Sequence, residues 1–409
     1  MNDSIGDAVS ARTAKWIATA RELGRERFAP RAAGYDNDAS FPFENYDDLR
    51  DAGFLKLVIP EQYGGLGARY GDYMLIAAEL GRWCGATALT FNMHTCTMLW
   101  TSQMADDLEM TPEQRDSHER RRAGIYAKVV EEGALFAQPF SEPNSAAAAG
   151  KAPFGTTARK VDGGWRVSGM KHFASLSGAA DYYGVLCTEA REDVEPSPRD
   201  TIYLAVAGDA EGFEVFGSWD PVGMRATVSR SLKLDEVFVP DDYQLMPRGA
   251  YFKAALNWPH MFMTLCPTYM GIAQAAFDYT VGYLRGEVDG APPAGSARQS
   301  PGKQFAVAEM RIKLDQARAL FERAVREAGC DPDKDARLRA YAAQYTVMET
   351  ANDICRLAIR TCGGRSIMKA LPLERLYRDS RCGSLMLPWT AEICQERIGR
   401  ESLFEPGES

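Results

Sequence analysis

Apolar positions along the chain recur first at helical spacing, then with strand alternation, then at helical spacing again. From Asp7 to about Arg122 the period is helical. Ile76, Ala77 and Leu80 share one face, while Gly and Pro concentrate only at Pro60, Gly64, Gly65 and Gly67, which predicts one tight loop. From about Leu135 to Pro240, short alternating runs stand between Gly- and Asp-rich turns. Trp165-Arg166-Val167, Ile202 to Val206, and Leu232, Leu234, Val237 and Val239 predict a compact antiparallel β domain. After Pro247 the helical period returns, clearest at Val307, Met310, Leu314, Ala317 and Phe321, opposite Glu309, Lys313 and Arg318. The Pro- and Gly-rich stretch between Arg285 and Gln304 predicts an exposed loop joining two long helices. The plan is α+β with segregated layers: a helical domain over 1–133, a middle β domain over 134–246 and a helical domain over 247–409.

Strand and helix do not alternate, and neither a Rossmann fingerprint nor a P-loop occurs, which disfavours a nicotinamide enzyme of the usual kind. The 409 residues carry 47 basic and 56 acidic side chains, a net charge of −9, so a nucleic acid is not an expected partner. The one run of like charge, Arg120 to Arg122, reads as a solvated helix face. The nine cysteines form no C-x-x-C pair and no metal-ligand spacing, so no disulfide framework and no metal site are expected. Met1 to Leu23 lacks the apolar core of a signal peptide, and no later stretch has the apolar length of a membrane span, making the cytoplasm the expected compartment. The Ala146 to Ala149 run is too short to count as low complexity.

Several segments, in order, resemble the acyl-CoA dehydrogenase family. Val58-Ile-Pro-Glu-Gln-Tyr-Gly-Gly-Leu-Gly67 is similar to its N-terminal loop. Phe140-Ser-Glu-Pro143 resembles Thr-Glu-Pro, and Gly169-Met-Lys-His-Phe-Ala-Ser175 resembles the strand that lies against the flavin. Arg360-Thr-Cys-Gly-Gly364, Pro372-Leu-Glu-Arg-Leu-Tyr-Arg-Asp379 and Thr390-Ala-Glu392 resemble Gln-x-x-Gly-Gly, Pro-x-Glu-Arg-x-x-Arg-Asp and Thr-x-Glu. The resemblance implies a C-terminal four-helix bundle, a homotetramer or homodimer, and FAD contacted by a neighbouring subunit.

By the same resemblance, Ser141 contacts the pyrimidine edge of the flavin ring, Ser175 bonds near N5, and Phe173 covers one face. Gly363 and Gly364 let backbone approach the cofactor, Thr390 and Glu392 take the adenosine half, and Arg285 pairs with pyrophosphate from another subunit. Arg360 departs from the family's Gln, and the permanent charge it adds near the cofactor suits phosphate pairing. Glu142 reads as structural.

Desaturating an acyl thioester needs a base for the α-proton. The positions where the family carries its glutamate are Leu387 or Pro388 here, and the alternative helix position is Met261, followed by Phe262. None accepts a proton. His94 and, less readily, His260 remain as candidate bases. The expected activity is FAD-dependent dehydrogenation of an acyl-CoA or an acyl carrier protein thioester with a non-standard base, passing electrons to a partner such as electron-transfer flavoprotein. A flavin monooxygenase of the same fold and a silent subunit of a heteromeric dehydrogenase are the alternatives.

Overall fold

A computed structural model describes residues 9–143, 147, 151–293, 297–405 and 408; apart from Ala147, the Ala146 to Ala149 run lies outside them. The N-terminal segment is helical: α1 (Ala11–Leu23), α2 (Ala29–Asp38), α3 (Phe43–Asp51), α4 (Tyr70–Gly81), α5 (Gly85–Leu99) and α6 (Pro112–Glu132). Ile76, Ala77 and Leu80 are fully buried on α4. The tight loop before it closes on Gly65, where a Cβ would lie 2.0 Å from the Ile59 carbonyl oxygen. α6 begins at a Thr111 capping box and ends on Gly133, which has φ +69°.

The sheet comprises β1 (Phe136–Ala137), β2 (Thr157–Val161), β3 (Gly164–Ala174), β4 (Tyr182–Ala190), β5 (Thr201–Ala207), β6 (Phe213–Phe216), β7 (Arg230–Pro240) and β8 (Gln244–Met246). Its order is β6-β7-β3-β2-β4-β5-β8, with β1 also on β4. The expectation of a purely antiparallel sheet is corrected: β4 runs parallel to both β1 and β2, and the sheet is mixed. Alternating burial sets which face a residue occupies and says nothing about the direction of the neighbouring strand.

The remaining helices are α7 (Ala250–Asn257), α8 (Cys266–Arg285), α9 (Pro301–Arg326), α10 (Lys334–Cys362), α11 (Pro372–Cys382) and α12 (Ala391–Leu403). Met310, Leu314, Ala317 and Phe321 of α9 are buried as their spacing predicts. α8, α9 and α10 pack together, with α11 and α12 against α10. No helix among the described residues is long and apolar enough to cross a membrane. One expectation fails on α6: Arg122 is not solvated but buried, donating to Asp106 at 2.6 Å and to Glu119.

Candidate active site

β3 pairs with β7 until Lys171, opposite Leu232, and resumes at Ala174, opposite Arg230. Three steps on one strand thus match two on the other, a β-bulge that turns a side chain out of the sheet. The turned residue is Phe173, held at φ +52°, a backbone region that costs a bulky residue energy, and its ring is 69% exposed. Trp219 meets it edge-on at 6.3 Å. The His172 N–H beside it donates to the Ser141 carbonyl at 2.8 Å, fastening the Phe140–Ser141 segment to the bulge.

Beneath the bulge lies a buried ion pair. Lys171 Nζ donates to Glu142 Oε1 at 2.6 Å and to the Leu186 carbonyl at 2.7 Å. Glu142 also accepts from the N–H groups of Gly155, at 2.6 Å, and Thr156, at 3.0 Å. Burial works against the Glu142 charge, but the Lys171 ammonium and the Thr156 donors outweigh it and hold the carboxyl below the usual range. The structural reading of Glu142 agrees with this geometry.

Phe173, Ser175 and Ser141 line one cavity of about 330 Å³, together with Met93 of α5, Gln138, and Leu385 to Leu387 beyond α11. A further wall is the loop between β6 and β7, which contributes Trp219, Gly223, Met224, Thr227 and Ser229. Ser175 Oγ lies 2.8 Å from Ser229 Oγ, which lies 2.7 Å from Thr227 Oγ1, and Thr227 donates to the Met224 carbonyl at 2.8 Å. That last bond orders the chain: Ser229 donates to Thr227, Ser175 donates to Ser229, and Ser175 turns its lone pairs to the cavity.

The loop is clamped from outside the sheet. Asp379 of α11 accepts from the Met224 N–H at 2.6 Å, and Arg378 donates to the Val222 carbonyl at 3.0 Å and to Asp36 of α2 at 2.5 Å. Gly223 is required there, since its Cβ would lie 2.3 Å from the Arg378 carbonyl oxygen. Burial pushes the Asp379 carboxyl up to about 6.

Among the described residues, no side chain lining this cavity is a carboxylate, an imidazole, a lysine or an arginine. Its only thiol, Cys382, is pushed up to about 12 by burial.

His94 departs from expectation. Met93 takes the lining position, while the His94 ring is fully buried, with Nε2 donating to the Leu55 carbonyl at 2.7 Å and Nδ1 accepting from the Phe136 N–H at 3.1 Å. Both nitrogens are used, and burial pushes its pKa down to about 4. His260 is likewise buried, and neither of its ring nitrogens has a hydrogen-bond partner among the described residues.

The other expected site residues do not reach this cavity. Arg285 stands exposed at the end of α8, 3.9 Å from Glu287, and Arg360 is exposed on α10. Gly363 caps α10 at φ +86°, and a Cβ on either Gly363 or Gly364 would meet nothing within 4 Å. Thr390 caps α12, accepting from the Ile393 N–H at 3.3 Å, and Glu392 is exposed in its first turn.

Domain models of one family match in sequence: the acyl-CoA dehydrogenase N-terminal domain over residues 11–107, the middle domain over 137–237 and the C-terminal domain over 263–385. A putative acyl-CoA dehydrogenase, YdbM of Bacillus subtilis, is 31% identical over 88% of this chain and 91% of its own. The chain belongs to the acyl-CoA dehydrogenase family. It is therefore of the flavin-dependent oxidoreductase type. L-evernosamine nitrososynthase of Micromonospora is 30% identical over 89% of this chain and 84% of its own. Two solved structures share the fold. Butyryl-CoA dehydrogenase of Megasphaera elsdenii has a TM-score of 0.80 at 20% identity, covering 97% of this chain and 99% of its own. The dibenzothiophene monooxygenase TdsC of Paenibacillus has 0.78 at 21%, covering 95% and 97%.

Within this acyl-CoA dehydrogenase family member, sequence reasoning missed Gln138, Trp219, Thr227 and Ser229. Trp219 carried a usable signal, a lone aromatic among Gly, Asp and Pro turn residues. The hydroxyls of Thr227 and Ser229 carried none, because only the loop's anchoring turns them inward.

Proposed function

We propose that this family member is a flavin-dependent monooxygenase acting on a compact apolar substrate held in the cavity between Met93, Trp219 and Leu387. The observation that carries this reading is the lack, among the described lining residues, of any group able to accept a proton near neutral pH. Desaturation of a thioester needs such a base, whereas oxygen transfer does not need a protein carboxylate.

The residues present fit a flavin ring: the bulge offers the exposed Phe173 face, and Ser141 and Ser175 stand at its edge as polar partners. When bound, a flavin accepts hydride and, once reduced, reacts with oxygen. The chain's own part is to place the ring, with the Ser175–Ser229–Thr227 hydroxyls fixing which of its polar atoms are paired. The apolar walls keep water from the reacting face. His94 then serves to pin α5 to β1, not to move a proton.

FAD, and not FMN, is the flavin this reading assigns: the exposed Arg285, Arg360, Gly364 and Glu392 and the half-buried Gly363 and Thr390 would meet the phosphate and adenosine parts of the cofactor of a second copy of the chain. Arg285→Glu is expected to lower FAD retention at least about tenfold. Released flavin measured after desalting checks this, and unchanged retention removes Arg285 from the site.

A second reading, thioester desaturation, draws on the likeness to the putative acyl-CoA dehydrogenase of Bacillus subtilis. One experiment separates the two. Oxidised, flavin-loaded protein is mixed anaerobically with saturated acyl-CoAs, and the chemically reduced protein is mixed with indole and oxygen. The monooxygenase reading expects no bleaching in the first arm and an indole product one oxygen atom heavier by mass spectrometry in the second. Bleaching by any acyl-CoA establishes desaturation instead.

A further inference from the structure

A second cavity, of about 450 Å³, backs onto the first: Leu387 faces one and the adjacent Pro388 faces the other. Aromatic rings stand between them. Phe140, from the wall of the first cavity, meets Tyr251 and Phe262, from the wall of the second, with ring centres 6.3 and 6.4 Å apart. Trp100 packs across all of them, 5.3 Å from Phe140, 5.5 Å from Tyr251 and 6.4 Å from Phe262. Trp389 closes the far side at 5.9 Å from Phe262. These separations fall in the range where tilted and edge-on aromatic pairs attract.

Trp100 and Trp389 are each 1% exposed, and neither indole N–H has an acceptor among the described residues. The rings therefore hold by packing, without a hydrogen-bonded bridge that would survive the loss of one ring.

We infer that this partition fixes the length of substrate the first cavity accepts, with Phe262 as the residue that determines it. A compact apolar molecule or a short chain end fits; a chain that would run on into the second cavity is stopped. The inference rests on the first cavity being the substrate chamber of the function proposed above. Phe262 is decisive because its ring lines the second cavity on one side and touches Phe140 of the first on the other.

Titration calorimetry of the flavin-loaded protein with straight-chain 1-alkanols of increasing length tests it. Each buried methylene raises affinity about fourfold until the chain meets the partition, after which the gain stops. In Phe262→Ala the break moves to longer alkanols, and adding Ala255→Phe, which refills the second cavity from α7, moves it back. Phe262→Leu gives a smaller displacement in the same direction and serves if the alanine variant does not fold. Affinity that climbs with no break in the natural protein overturns the inference, as does a break unmoved in the folded variants. Failure of every alkanol to bind flavin-loaded protein also overturns it. The function itself is judged by the acyl-CoA and indole measurements, so the two failures are told apart.

Discussion

Replacing Glu142 by Ala is expected to lower the free energy of unfolding by about 3–5 kcal/mol, because it leaves the Lys171 ammonium buried without a counter-charge, facing only the Leu186 carbonyl and the Phe154 ring. The magnitude comes from the uncompensated charge, not from the worth of the pair. Hence the double variant Glu142→Leu, Lys171→Met should lie much closer to the natural protein than either single change. Urea unfolding followed by fluorescence measures all four proteins. A double variant as unstable as Glu142→Ala would mean that the pair contributes favourably in its own right. Since Lys171 precedes the bulge and Glu142 follows Ser141, the single variant should also release flavin, whereas the double variant should retain it.

The second large effect is acid sensitivity between pH 6.5 and 4. His94, His118 and His260 are buried, and burial pushes each imidazole from 6.5 down to about 4. At pH 7 both folded and unfolded chains hold them neutral. Below 6.5 the unfolded chain takes up protons that the folded one refuses, so stability falls until about pH 4, by about 3 kcal/mol for each histidine. Asp379 acts in the opposite sense. Its folded carboxyl titrates at about 6 against a usual 3.8, so it protonates first in the folded state and adds stability as the pH falls through that window. Its contribution, also about 3 kcal/mol, cancels roughly one histidine, so these four groups together account for a loss of about 6 kcal/mol. Urea midpoints at pH 7 and pH 4.5 report it. A midpoint that does not move between them refutes the assignment, and His94→Gln should remove part of the slope.

Much of the fold was readable because its period is local. The α9 stripe at Met310, Leu314, Ala317 and Phe321 needs no knowledge of its partner to be recognised as buried. The parallel pairing of β4 with β1 and β2 was not readable, since no residue on β4 records which way its neighbour runs. That Ser141, Phe173 and Ser175 come together in one cavity is foreshadowed by short contiguous motifs in the sequence. His94 was misplaced for a geometric reason: successive helical residues point about 100° apart, and whether residue 93 or 94 of α5 faces the cavity is decided by how the whole helix is seated. The placement of Thr227 and Ser229 rests on distant elements: Asp379 accepts from the Met224 N–H, and the Leu176 and Ser177 N–H groups donate to the Thr227 and Val228 carbonyls.

That long-range clamp has a bearing on how such enzymes can be recombined. The β6–β7 loop belongs to the middle segment, but its shape is dictated by Arg378 and Asp379 near the end of the chain and by Asp36 near the start. A chimera that takes the sheet from one relative and the helices from another would join a loop to an anchor cut for a different loop. Selectivity should therefore travel between relatives only when the loop, the second helix and α11 are exchanged as a single inherited unit.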